Sequence, residues 1–260
     1  MKHRLFILLF ALILLLTACG NSPKSQPADH VISHRGASDE ALEHTWAAYD
    51  LAVAYGSHFL EQDLVSSADG TLYISHDLTP ERLTGEVRPF SELHDAEIDA
   101  LQTQDGQRIL KLEEVFAAYP EPICFVVELR TQDQLEPLIQ LVEKYHVENR
   151  MILQAWALPP LESVRERFPS IRRMLLVGTQ DGVDWGCTQD AVQILAMADY
   201  LMTESNCFQL RQHGKEVCVW VLNSEEDIRL AIELQVDYYF TDHTALALKL
   251  EQERNESENP

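Results

Sequence analysis

Positive charge is scarce in this chain. Its 20 Lys and Arg stand against 42 Asp and Glu in 260 residues, a formal net charge of −22 at pH 7. A polyanion of that strength is repelled by nucleic acid and by anionic lipid headgroups, so neither is expected as a ligand. Cysteine is also sparse, five in all, and no Cys-x-x-Cys occurs. That removes a zinc ribbon and a thioredoxin-type site. No Gly-x-Gly-x-x-Gly follows the first strand-like run, which argues against a dinucleotide-binding doubly wound sheet. The apolar run Leu5 to Leu16 falls short of the ~20 residues that a bilayer span needs.

That run belongs to a leader. Lys2, His3 and Arg4 precede it and Leu16-Thr17-Ala18-Cys19 follows, the layout of a secretory signal. Leu-Thr-Ala-Cys resembles the lipobox of bacterial lipoproteins, which implies removal of residues 1–18 and a lipid-bearing Cys19. Gly20 to Asp29, with Ser22, Pro23, Ser25 and Pro27, then reads as a flexible tether. The expected location is the bacterial cell envelope, on the exported face of a membrane, with membrane contact through the lipid alone. Losing Lys2 and Arg4 makes the mature chain more acidic still, so an anionic substrate needs local positive charge at its site. A divalent cation is the obvious supplier. Of the remaining cysteines, Cys124 and Cys218 lie in apolar runs and read as buried thiols. Cys187 and Cys207 lie in polar contexts, and export leaves a bridge between them open.

Past the tether, short apolar runs alternate with helical patterns, and 46% hydrophobic residues suffice for a full core. Val31 to Ser33, Ser57 to Leu64, Ile123 to Leu129, Met151 to Gln154, Ile171 to Leu176, Tyr200 to Met202, Val217 to Val221 and Tyr238 to Phe240 read as strands. Thr71 to Ser75 reads as the return arm of a hairpin on the second. Helices are expected over 43–55, 110–118, 135–145, 158–168, 190–197, 207–213, 225–234 and 245–251. Eight strand–helix units with nearly continuous apolar strands predict an α/β fold, a (β/α)8 TIM barrel spanning 30–251. Leu78 to Arg108, with Pro80, Gly85, Pro89 and Gly106, reads as a small insertion after strand 2 holding at most a short helix. The acidic tail 252–260 reads as disordered, with the charges of 251–258 solvated.

In such barrels the reactive groups sit at the C-terminal strand ends. His34 and Arg35 end the first strand. Glu61 and Asp63 end the second, and residues two apart on a strand point the same way. A lone Glu-x-Asp is a weak signal, commonly a solvated strand end. Glu128 ends the third strand inside an apolar run, where an unpaired charge is costly. Three convergent carboxylates make an oxygen-ligand site for Ca²⁺ or Mg²⁺. His76-Asp77 adds a second imidazole.

His34-Arg35-Gly36, Glu43-His44-Thr45, Glu61-x-Asp63, His76-Asp77 and Glu128-Leu129-Arg130 resemble, in order and spacing, the motifs of the glycerophosphodiester phosphodiesterase family. Trp220-Val221-Leu222-Asn223 and Val236 to Asp242 resemble its two C-terminal motifs, so the likeness spans 31–242. It implies a metal-dependent phosphodiesterase acting on a small-molecule glycerophosphodiester. Glu61, Asp63 and Glu128 would hold one divalent metal ion, Ca²⁺ or Mg²⁺. His34 and His76 would form the acid/base pair, Arg35 and Arg130 would contact phosphate, and Trp220 would pack on the glycerol. Glu43 would stand behind them, start a helix or add a ligand. The chain departs from the pattern at Leu42 (usually Pro), His44 (commonly Asn), Arg130 (often Lys) and Ala155-Trp156 (commonly Ser-Phe). Trp185, in an expected loop from Gly178 to Cys187, is a further candidate for the pocket wall.

Overall fold

Strands rich in Val, Ile, Leu and Phe, too apolar to leave either face in water, close on themselves and are covered by helices. The structure is a computed structural model that describes residues 29–258. The expected leader, Cys19 and most of the tether lie outside the described residues. Eight parallel strands form the ring: β1 (Val31–Ser33), β2 (Phe59–Ser66), β4 (Cys124–Glu128), β5 (Met151–Ala155), β6 (Arg172–Val177), β7 (Ile194–Ala198), β8 (Glu216–Trp220) and β9 (Tyr238–Thr241). Ile32 of β1 lies opposite Phe59 of β2 on one side and Phe240 of β9 on the other, which closes the barrel. The remaining strand, β3 (Leu72–Ile74), returns antiparallel along the end of β2.

Helices α1 (Trp46–Tyr55), α4 (Leu112–Ala118), α5 (Leu135–Tyr145), α6 (Leu158–Arg167), α7 (Gln180–Cys187), α8 (Glu204–Gln212), α9 (Glu225–Glu233) and α10 (Thr244–Glu258) lie between and after the strands. Four of them start on a hydroxyl cap that accepts an orphan backbone N–H: Thr45, Thr179, Thr203 and Ser224. The main core fills the gap between barrel and helices, with Leu60, Val127, Leu153, Leu175, Leu195 and Val217 facing outward into it.

The alternate residues fill the barrel. Ile32, Val126, Ile152, Met174, Ile194 and Cys218 form its apolar interior. Two residues further along each strand the same inward positions carry His34, Glu128, Gln154, Leu176, Ala196 and Trp220, with Asp63 and Phe240 beside them. The period-2 rule therefore places the chemistry on top of the packed interior at the C-terminal rim.

The insertion holds two short helices, α2 (Glu81–Thr84) and α3 (Asp95–Asp99), rather than at most one. Leu83, Phe90, Leu93, Ile98 and Ile109 give it a small core of its own against Val65 and Tyr73.

Other expectations need correction. Residues 190–197 do not form a helix, because Ile194–Ala198 is the sixth barrel strand, buried throughout between β6 and β8. Tyr200–Met202 is not a strand; Asp199–Leu201 is a 3₁₀ turn in which the Asp199 carboxylate accepts the Tyr200 N–H at 2.8 Å. The expected loop 178–187 is mostly α7, started by the Thr179 cap. The acidic tail is not disordered up to 258, since α10 runs to Glu258. Glu251 is buried against Tyr239 and pairs with Arg254 at 3.1 Å, which carries the helix onward. Cys187 and Cys207 are separate buried thiols, each packed in the core, and form no bridge.

Candidate active site

A cavity of about 560 Å³ opens at the C-terminal rim, lined by His34, Arg35, Glu61, Asp63, His76, Glu128, Arg130 and Trp220, together with Leu78, Gln154 and Trp156. Eight of the expected site residues thus share one space. Glu43 stands just behind it, and Cys19 lies outside the described residues. Trp185 does not border the cavity; it sits on α7 with its ring half in solvent.

The first strand ends in a tight turn. Arg35 and Gly36 both take positive φ, 58° and 90°. A Cβ on Gly36 would lie 2.7 Å from the Ala48 backbone, so glycine is required there. His44 is also left-handed, at φ 56°, and its N–H donates to the Arg35 carbonyl at 3.0 Å. Two strained non-glycine residues held face to face mark a site that the surrounding fold over-determines.

Each candidate catalytic histidine has a carboxylate behind it. His34 Nδ1–H donates to Asp242 Oδ1 at 2.7 Å, and Asp242 is itself held by Ser38 at 2.9 Å and Asn223 at 2.6 Å. Burial works to raise the Asp242 carboxyl, but these donors outweigh it and bring it down to about 2. His76 Nδ1–H donates to Asp77 Oδ1 at 3.0 Å, and Arg82 of α2 holds the other oxygen at 2.6 Å. Both rings therefore commit Nδ1 and leave Nε2 for chemistry.

The carboxylates are crowded. Glu61 and Asp63 are almost fully buried. Burial and the neighbouring Asp63 push Glu61 well up, and the same two causes push Glu128 up to about 7. For Asp63, burial is overcome by His44 and by the guanidinium groups of Arg130 and Arg35, which hold it well below the carboxylate range. Arg130 forks between Asp63 Oδ1 at 3.0 Å and Glu128 Oε1 at 3.2 Å and also donates to the His76 carbonyl. Arg35 donates its backbone N–H to Glu61 at 2.9 Å, and its guanidinium reaches Glu43 at 3.3 Å. Glu43 is gripped in turn by Arg82 at 2.6 Å.

Buried acids that repel one another fit a cation better than they fit one another. The buried Gln154 Oε1 fits too: among the described residues it has no hydrogen-bond partner, while its Nε2 donates to Glu61 at 3.3 Å. Among the described residues, His44, Glu61 and Asp63 bring one donor atom each within 4.8 Å of one another. Glu128 lies on the same rim, turned to Arg130. Sequence reasoning noted His44 as a departure and missed it as a donor. It also gave no role to Asp242, whose partner His34 is distant in the chain, or to Arg82, which bridges the nearby Asp77 and the more distant Glu43.

Residues 34–246 match the Glycerophosphoryl diester phosphodiesterase family. The chain belongs to that family. It is therefore a phosphoric diester hydrolase, with the barrel expected of it. A glycerophosphodiester phosphodiesterase from Caldanaerobacter subterraneus is 27% identical over 237 residues, covering 85% of this chain and 96% of that protein. The human lysophospholipase D GDPD1 is 26% identical, with 82% of each chain covered. Among solved structures, an Oleispira antarctica phosphodiesterase in complex with the product sn-glycerol-3-phosphate superposes with a TM-score of 0.77 at 19% identity, covering 86% of this chain and 96% of that one.

Proposed function

We propose that the protein hydrolyses glycerophosphodiesters to an alcohol and sn-glycerol 3-phosphate with the help of one divalent cation, in glycerophospholipid breakdown. We place it at the exported face of a bacterial membrane, held by a lipid on Cys19. One observation carries the catalytic reading. Two imidazoles, each backed by a carboxylate at Nδ1, face the cavity that also holds Arg35, Arg130 and the carboxylates Glu61, Asp63 and Glu128.

Glu61, Asp63 and Glu128 would hold the cation, and oxygen donors by themselves suit Ca²⁺ or Mg²⁺. Such an ion, when bound, supplies positive charge beside a phosphoryl oxygen. Arg35 and Arg130 offer guanidinium forks to the same phosphate and share the charge that develops in the transition state. One of His34 and His76 takes the proton of the nucleophile, either water or the glycerol 2-hydroxyl, and the other delivers a proton to the leaving alkoxide as the P–O bond breaks; in the second case water then opens the cyclic phosphate. The Trp220 ring, fixed by its N–H to the Ala196 carbonyl at 3.0 Å, forms a wall for the glycerol carbons.

The test is release of glycerol phosphate from glycerophosphocholine, glycerophosphoethanolamine and glycerophosphoglycerol by protein lacking residues 1–19, with added divalent cation or with chelator. Release is expected with cation and abolished by chelator. No release under any cation would sink the reading. A second reading, lysophospholipase D activity, is favoured by the exposed Leu78 and Trp156 on the cavity rim, an apolar lip on which an acyl chain can lie. Lysophosphatidylcholine in the same assay decides it, choline release supporting the activity and its absence excluding it.

A further inference from the structure

His44 takes no part in the proton transfers above, yet it is the nitrogen donor of the cluster that it forms with Glu61 and Asp63. Its side chain is buried and both ring nitrogens are engaged. Nδ1 lies 2.9 Å from the Tyr49 hydroxyl and Nε2 lies 3.0 Å from Asp63 Oδ2. The Tyr49 hydroxyl donates to the Glu61 backbone carbonyl at 3.1 Å. The two nitrogens of the ring are thus held between the Tyr49 hydroxyl and the Asp63 carboxylate, with Nε2 directed at the carboxylates. Asp63 already takes the guanidinium groups of Arg130 and Arg35 at 3.0 and 3.6 Å. A divalent ion between Nε2 and the carboxylates would take the place of the Nε2–H bond to Asp63, with the ring neutral and its N–H on Nδ1 toward Tyr49.

We infer that His44 Nε2 is a direct ligand of the catalytic cation, and that the ion this chain selects is a first-row transition ion of the Mn²⁺, Co²⁺ or Zn²⁺ kind in preference to Ca²⁺ or Mg²⁺. The inference rests on Glu61 and Asp63 as cation ligands. His44, Glu61 and Asp63 present one nitrogen and two carboxylate donors within 4.8 Å of one another. Imidazole is a poor donor for the hard alkaline-earth ions and a good one for borderline transition ions. Tyr49 does what the outer partner of a metal-bound histidine does: it fixes the tautomer and the ring plane. The left-handed backbone of His44, fixed by its N–H to the Arg35 carbonyl at 3.0 Å, sets the direction in which the side chain leaves.

The experiment is proton NMR of the detergent-solubilised full chain loaded with Co²⁺, with competition titrations against Mg²⁺. A histidine bound through Nε2 gives one hyperfine-shifted, solvent-exchangeable Nδ1–H resonance, expected in the wild type and lost in His44→Asn. Preference for Co²⁺ over Mg²⁺ should fall roughly ten- to hundredfold in that variant. Tyr49→Phe, which keeps the ligand, should retain Co²⁺ binding while its Nδ1–H exchanges faster. Circular dichroism checks the fold of both. Bound Co²⁺ without a shifted exchangeable proton, or an unchanged preference in a folded His44→Asn, overturns the assignment and leaves the cation site standing. Failure to bind any divalent ion removes both.

Discussion

At the scale of single residues, the site separates groups that touch substrate from groups that aim them. His34 is aimed by Asp242, and the acid limb of that pairing has a definite sign. The Asp242 carboxyl falls from an ordinary 3.8 to about 2 in the folded protein. Its contribution to stability is therefore complete above about pH 4 and is lost as pH falls through about 2. Asp242→Asn should flatten the decline of melting temperature across that window and leave the neutral-pH fold intact. It should also lower kcat by roughly a hundredfold or more, because the imidazole loses the partner that sets its tautomer. An unchanged kcat would show that Ser38 and the strand end orient His34 without it. The residues legible in the sequence, His34, Arg35, Glu61, Asp63, His76 and Glu128, announce themselves by chemistry within short motifs. Asp242 closes a C-terminal motif in the sequence, but its role stays hidden there, since 208 residues separate it from His34. His44 was visible as a substitution, but its role depends on Tyr49 and Asp63, which only the folded chain brings to it.

At the scale of elements, the insertion is more than a loop filled in after strand 2. Its α2 sends Arg82 across to Glu43, and the same guanidinium holds Asp77 behind His76. Glu43 also contacts Arg35, so one side chain from outside the barrel ties the second imidazole to the arginine proposed to bind phosphate. Arg82→Ala is expected to lower kcat roughly ten- to hundredfold through misplacement of His76, with little change in melting temperature. Equal kcat in the variant would reduce α2 to a lid without influence on the chemistry. Elements were legible where periodicity was long, as in α5 and α9, and misread where an apolar run was short. Ile194 to Ala198 is made of residues that favour helices as readily as strands, and its burial between two strands decides the matter. The charges of α10 look solvated in sequence because nothing there shows that Glu251 turns inward.

At the scale of the whole molecule, the net charge of −22 sets how a substrate arrives. A negative field surrounds a cavity whose anion-binding groups are local, and salt screens the field over about 10 Å at 0.1 M. The value of kcat/KM for anionic glycerophosphoglycerol should therefore rise severalfold from low to moderate salt, while that for zwitterionic glycerophosphocholine stays nearly flat. Steady-state kinetics of both across an ionic-strength series checks this; parallel behaviour would remove the global field from the account. The barrel itself was legible from a repeated pattern, with seven of its eight strands read in place, because that pattern is the burial of each strand on both faces.

His34 leaves the first strand of that ring and Asp242 follows the last. The seam between the first and last strands of the barrel is thus also the contact that orients one half of the proposed acid/base pair. A chain cut short of β9 would still carry His34 and His76 but would lack the carboxylate that receives the His34 Nδ1–H, so closing the ring and orienting that imidazole are one and the same contact.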